Sequence, residues 1–206
     1  MRVADPARVQ RILDSAAKLF AQRHYHEVRM DDIAAEAEVA KGTLYLHFKA
    51  KEDLYLALLL TGGSQLLKKL SEQMARQAPA EEKLSLFVSE VVRFFEAYPY
   101  FLELVQRIEG MLPRGQDSPL RTNRTRFLNL LASVIRDCLR EKKESDLFQD
   151  ADIAALALIG MIKEVLRFQR GPVPNWLPAW IVQQFLHGLY VKSGGRKLDR
   201  QEQRAH

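Results

Sequence analysis

Apolar side chains recur at three- and four-residue spacing along nearly the whole chain, while alternating β-branched runs are almost absent. Helical geometry gathers such positions on one stripe, so the pattern predicts an all-α protein and argues against sheets. Val9, Leu13, Ala16 and Phe20 show it first, behind Asp5 as an N-cap and Pro6 at the first helical position. Similar segments follow at 30–37, 41–48, 51–77, 80–98, 100–112, 119–143, 150–169 and 177–192, which makes about nine helices without an internal repeat. Gly62-Gly63 is expected to bend or break the fourth helix. Pro79, Pro99, the 113–118 loop and Gly171-Pro172-Val173-Pro174 separate the later helices, and the polar tail from Ser193 is expected to be mobile.

With 206 residues, 47% of them apolar, the chain is long enough to bury roughly 70% of its unfolded surface. The net charge of +5 is modest, but its distribution is informative. Between Val39 and Lys51 stand Lys41, Lys49, Lys51 and His47 with no acid, whereas Asp31, Asp32, Glu36 and Glu38 crowd the preceding stretch. A local basic stripe suits a polyanionic partner. The single Cys138 excludes an intrachain disulfide and reads as a buried, inert thiol in a reducing compartment. Arg2, Asp5, Arg8 and Arg11 interrupt any secretion signal, and the longest apolar run, 154–162, falls well short of the roughly 20 residues of a membrane helix. A cytoplasmic protein with no membrane association is expected.

Residues 6–48 supply three helices in which 30–37 and 41–48, joined by a short turn, form a helix-turn-helix. If Leu44 and Phe48 face inward, Gly42, Thr43, Leu46 and His47 point away at 100° per residue. Lys41, Thr43, Tyr45, His47 and Lys51 are donors suited to phosphate oxygens, and Gly42 permits close backbone approach at a helix start. An outward Leu46 has no folding reason to be apolar, but contact with a thymine methyl or a sugar would give it one.

The string from Met30 to Phe48, above all Lys41-Gly42-Thr43-Leu44-Tyr45-Leu46-His47-Phe48, followed by Lys51, Glu52, Asp53 and Leu54, resembles the TetR/AcrR family of bacterial transcriptional regulators. The resemblance implies an all-helical homodimer with a DNA-binding domain at 1–50, an effector-binding and dimerisation domain at 51–192 and a flexible tail at 193–206. Carried over by position, Lys41 and Gly42 meet base edges or the adjacent backbone. Thr43, Tyr45, His47 and Lys51 hold phosphates, and Arg29 is a further base or phosphate candidate. The chain departs from the family's habit at three helix ends. Val28-Arg29 stand where a Thr or Ser cap is usual, Glu38 where the turn usually has Gly, and Ala40 where Ser usually caps the recognition helix, each at a cost of about 1 kcal/mol.

The helix over 150–169 is apolar on more than one side, and 177–192 carries a similar surplus, so both need a second cover. A symmetric dimer supplies it, with the interface expected at Ile159, Ile162, Leu166, Trp180, Ile181, Phe185 and Leu189. An effector pocket is expected among Phe87, Phe94, Phe95, Tyr98, Phe101, Met111, Phe127 and Phe168, with Glu103 and Arg107 as polar contacts. The resulting expectation is a repressor that leaves a palindromic double-stranded operator when a small hydrophobic or amphipathic effector binds. A helical adaptor of the same fold, acting through protein contacts without an effector, is the alternative. No Gly-rich phosphate loop, nucleophile elbow or metal-ligand set suggests an enzyme, a cofactor or a metal; His24 and His26 are too isolated.

Overall fold

Asp5 starts the first helix as its spacing suggests: its carboxylate accepts from the Ala7 N–H at 3.1 Å, with Pro6 in the first turn. The computed structural model describes residues 5–111, 118–141, 150–169 and 171–190, with side chains at 106–111 and 189–190 outside that description. Its elements are α1 (Pro6–Gln22), α2 (Met30–Glu36), α3 (Lys41–His47), α4 (Lys51–Met74), α5 (Ala80–Ala97), α6 (Pro99–Met111), α7 (Pro119–Glu141), α8 (Ala151–Phe168) and α9 (Leu177–Tyr190). Every element among the described residues is helical, as the apolar period requires.

The first three helices enclose Ile12, Ala16, Val28, Ile33 and Leu44, all essentially without solvent contact. This small core continues into α4, whose Tyr55 packs edge-on against Phe20 and Tyr25 at centroid separations of 5.3 and 4.4 Å. The α6 start also reaches α1, through Tyr100 at 6.4 Å from Phe20. The helix that starts just past the boundary expected at residue 50 thus packs against α1 on one side and against α5, α6 and α7 on the other. The expected tail at 193–206 lies outside the described residues.

The larger body is arranged around α5, which packs on α4, α6, α7, α8 and α9. Leu84, Phe87, Val88, Val91 and Val92 are buried on successive faces, as a central helix demands. Pro79 gives α5 no side-chain cap, and the Glu141 carboxylate at the far end of α7 replaces one by accepting from the Ala80 N–H with both oxygens at 3.1 Å.

Contrary to expectation, α4 runs unbroken through Gly62-Gly63 and ends at Met74 rather than near Gln77. Close packing is what Gly62 serves. A Cβ there would stand 2.8 Å from the Phe101 ring and 3.4 Å from Phe94, so the missing side chain admits α6 and α5 aromatics against α4. Neighbouring packing outweighs the intrinsic helix penalty of glycine.

Candidate nucleic-acid interface

Two of the three departures at helix ends have local compensation. Arg29 precedes α2 without a side-chain cap, but Asp32 in the first turn accepts from the Arg29 N–H at 3.1 Å and lies 3.6 Å from the Arg23 guanidinium. That is the reciprocal half of a capping box. Glu38 takes the left-handed conformation, φ +53°, that the turn imposes. The strain is set against two closing hydrogen bonds, Glu38 N–H to Ala35 O at 3.1 Å and Val39 N–H to Ala34 O at 3.0 Å, which form a Schellman motif. Ala40 leaves the start of α3 without a side-chain cap.

The turn sets α3 on the molecule with Leu44 and Phe48 buried, the orientation that the sequence pattern requires. Lys41, Gly42, Tyr45 and Leu46 are exposed, while Thr43 and His47 are half-buried at the edges of the same face. Leu46 is 84% exposed, more than any other large apolar side chain among the described residues. At Gly42 an added Cβ would meet no atom within 4 Å, so nothing inside the subunit requires glycine there. Arg29 is exposed beside α2.

The two lysines of this surface have different surroundings. Lys41 Nζ lies 2.6 Å from Asp31 Oδ2, both side chains being at least half exposed. Asp31, first through the hydrogen bond and then through its charge, raises the Lys41 ammonium above the ordinary lysine value. Lys51 Nζ instead turns inward, donating to Tyr25 O at 2.6 Å and Val28 O at 2.8 Å and lying 3.9 Å over the Tyr25 ring. Neither the Asp31 pairing nor the inward course of Lys51 carries a sequence signal, because the first depends on the angle that the 37–40 turn sets between α2 and α3 and the second on how the 23–29 segment folds back onto α4.

Of the expected pocket residues, Phe94, Phe95, Tyr98 and Phe101 come together, with Phe94 and Phe101 edge to face at 4.8 Å. Phe87 and Phe127 meet separately at 5.2 Å. Phe168 is 73% exposed under the Arg167 guanidinium, and Glu103 is exposed. The side chains of Arg107 and Met111 lie outside the described residues. Sequence reasoning missed the groove of ≈ 520 Å³ between α4 and α5, lined by Leu66, Lys69, Glu90, Arg93, Phe94 and Tyr98 among others. Glu90 at its floor is only 4% exposed, ion-paired to Lys69 and to Arg93 at 3.2 Å, and accepts from Gln73 Nε2 at 3.3 Å. Burial is the strongest influence on this carboxyl and by itself raises it. The hydrogen bonds from Lys69 and Gln73 and the charges of Arg93 and Lys69 outweigh burial and hold it below the ordinary range.

In the expected dimer interface, Ile162, Ile181 and Phe185 are buried within the subunit and Ile159 and Leu166 are half-buried. Trp180 is exposed, and the side chain of Leu189 lies outside the described residues. The same helices and the turn before α9 expose Ile153, Leu156, Phe168 and Trp176. Cys138 is buried, which pushes its thiol up to about 12, with nearby Glu81, Glu141 and Asp137 adding to the shift. Among the described residues no helix is long and apolar enough to cross a membrane.

A helix-turn-helix with an outward second helix, carried by a larger helical body, defines a DNA-binding regulator. The description "bacterial regulatory proteins, tetR family" matches residues 12–58. The fatty acid metabolism regulator protein of Bacillus subtilis is 30% identical over 169 residues, which are 75% of this chain and 79% of that protein. The chain belongs to the TetR family and is a transcriptional regulator. Among solved structures, the TetR family regulator PfmR from Thermus thermophilus aligns with TM-score 0.68 at 25% identity, covering 85% of this chain and 97% of that one. FadR from Bacillus subtilis in complex with stearoyl-CoA has the same fold, with TM-score 0.64, 24% identity and coverage of 91% and 99%.

Proposed function

We propose that this regulator is a homodimeric repressor that binds a palindromic operator and releases it when an amphipathic, anionic acyl compound occupies the larger domain. The observation that carries DNA reading by α3 is the outward face itself: Leu46 exposed among Lys41, Tyr45, Thr43 and His47, beside a glycine that nothing within the subunit requires. Lys41 and Gly42 approach base edges or the neighbouring backbone, Thr43, Tyr45 and His47 take phosphates, Leu46 meets a thymine methyl, and Arg29 adds a contact from α2. A dimer places two such helices on half-sites spaced by turns of the duplex.

The exposed apolar surface of Ile153, Leu156, Phe168, Trp176 and Trp180 supports pairing through α8 and α9. The effector class is supported by the fatty acid metabolism regulator at 30% identity and by the stearoyl-CoA complex of a protein with this fold. In this chain the α4–α5 groove sets apolar Leu66, Phe94 and Tyr98 beside Lys69 and Arg93, both ion-paired to Glu90, a mixed lining that suits an amphipathic ligand. Binding shifts the dimer toward a spacing that the operator does not accept, through a coupling of typically about 1–3 kcal/mol.

Footprinting on the DNA flanking its own gene, repeated with stearoyl-CoA, coenzyme A alone and stearate, tests both halves. A protected palindrome that opens only with the acyl compounds is the expected result. Protection indifferent to all three would favour the effector-free adaptor, and the absence of any protected DNA would remove operator binding.

A further inference from the structure

We propose that Lys51 is a positioning residue: it clamps the 23–29 segment onto α4 and so sets the pose of α2 and α3, and it does not hold a phosphate. The proposal rests on the DNA-binding reading above. Lys51 opens α4, and a cation at a helix start is opposed by the helix dipole unless other groups compensate. Here the carbonyl oxygens of Tyr25 and Val28 and the face of the Tyr25 ring do so.

Both carbonyls belong to the segment between α1 and α2, and both residues are buried, Val28 completely. Buried carbonyls require donors, and a compact ammonium directs its protons at both from one point. The adjacent residue adds a second tie, because the Tyr25 hydroxyl donates to Glu52 Oε1 at 2.8 Å. Tyr25 is in turn wedged against Tyr55 and Phe20. Residues 51 and 52 thereby fasten the approach to α2 from beneath, and α2 carries α3 through the 37–40 turn. A phosphate reaching Lys51 would have to strip it from both carbonyls and from the ring. Lys41, held only by an exposed carboxylate, has no such obstacle.

Arginine separates the two roles. A phosphate ligand tolerates Lys51→Arg, because a guanidinium binds phosphate as well as an ammonium does, whereas the clamp uses one compact ammonium that reaches two carbonyls at 2.6 and 2.8 Å and the ring at 3.9 Å from a single point, a geometry that a longer, rigid planar fork does not reproduce. At a temperature where both proteins are fully folded, Lys51→Arg should lose roughly tenfold in operator affinity, the size of a misaligned base contact. Random-duplex affinity should change little, and the slope of log affinity against log salt should be unchanged. Lys41→Ala is the control and should lower that slope by about 0.9 for each phosphate contact it removes. Lys51→Met should also lower the melting temperature and speed amide exchange in residues 23–29.

Wild-type operator affinity in Lys51→Arg, or a Lys51→Met slope reduced as in Lys41→Ala with exchange in 23–29 unaltered, would overturn the clamp. If the wild-type protein protects no duplex at all, the DNA-binding reading fails by itself. The exchange and melting measurements then decide the clamp alone, and unaltered values in Lys51→Met overturn it.

Discussion

The α3 face and the α8–α9 face both present apolar side chains to water, in opposite settings. On α3 a lone Leu46 stands among hydrogen-bonding neighbours; Ile153, Leu156 and Phe168 on α8, Trp180 on α9 and Trp176 in the turn just before it form a series. A single apolar side chain in a polar field suits a point contact with a partner that is mostly charge and hydrogen bond, as duplex DNA is. A recurring series suits a broad apolar interface, as a second copy provides. The difference teaches that exposure of an apolar residue is informative only together with what surrounds it.

The largest expected effect breaks the second face. Leu156→Glu with Trp180→Glu should give a folded monomer by sedimentation, and operator affinity should fall by at least about 100-fold as the two reading heads separate. A dimer of unchanged affinity would show that the apolar face serves something else. Lys41→Ala tests the first face: gel-shift titrations should record a loss of about 1–3 kcal/mol with circular dichroism unaltered.

Between the two faces, Glu90 tests how firmly α4 is joined to α5. Its carboxyl is held below the ordinary range in the folded chain, so its contribution to stability is full above that range and lost as pH falls through the depressed value. Glu90→Gln should lower stability at neutral pH by about 1–2 kcal/mol, the half-exposed cations limiting the loss, and flatten the decline in acid. Urea melts at neutral and acid pH measure both.

Gly42→Ala sharpens the contrast by separating folding from binding. Stability should hold or rise by up to about 1 kcal/mol, because no atom opposes the methyl, while operator affinity falls a few-fold. Equal affinity would mean that nothing comes close to that helix start. The smallest effect belongs to Glu38→Gly, which removes the positive-φ strain and should raise stability by about 1 kcal/mol or less in thermal melts, with operator affinity unchanged.

The helices were legible because their stripes, stops and caps are local: Asp5-Pro6, Leu44 with Phe48, and the Pro79 break all act within a few residues of themselves. The outward set of α3 was legible for the same reason, since 100° per residue divides a short helix into an inner and an outer face once two inner residues are known. Gly62-Gly63 misled, because a glycine pair signals a break only where no neighbour fills the space it leaves, and the Phe101 ring fills it.

By itself, then, the sequence determined the all-α class, the order of nearly every helix and the outward face of α3, because these follow from periodicity and local capping. The tertiary structure alone decided that Lys51 turns inward onto carbonyls, that Lys41 pairs with Asp31, that Glu90 sits beneath two cations, and which apolar residues of α8 and α9 are left uncovered. Each of those depends on which distant segment arrives alongside, and spacing along one chain does not encode the direction from which a neighbour comes.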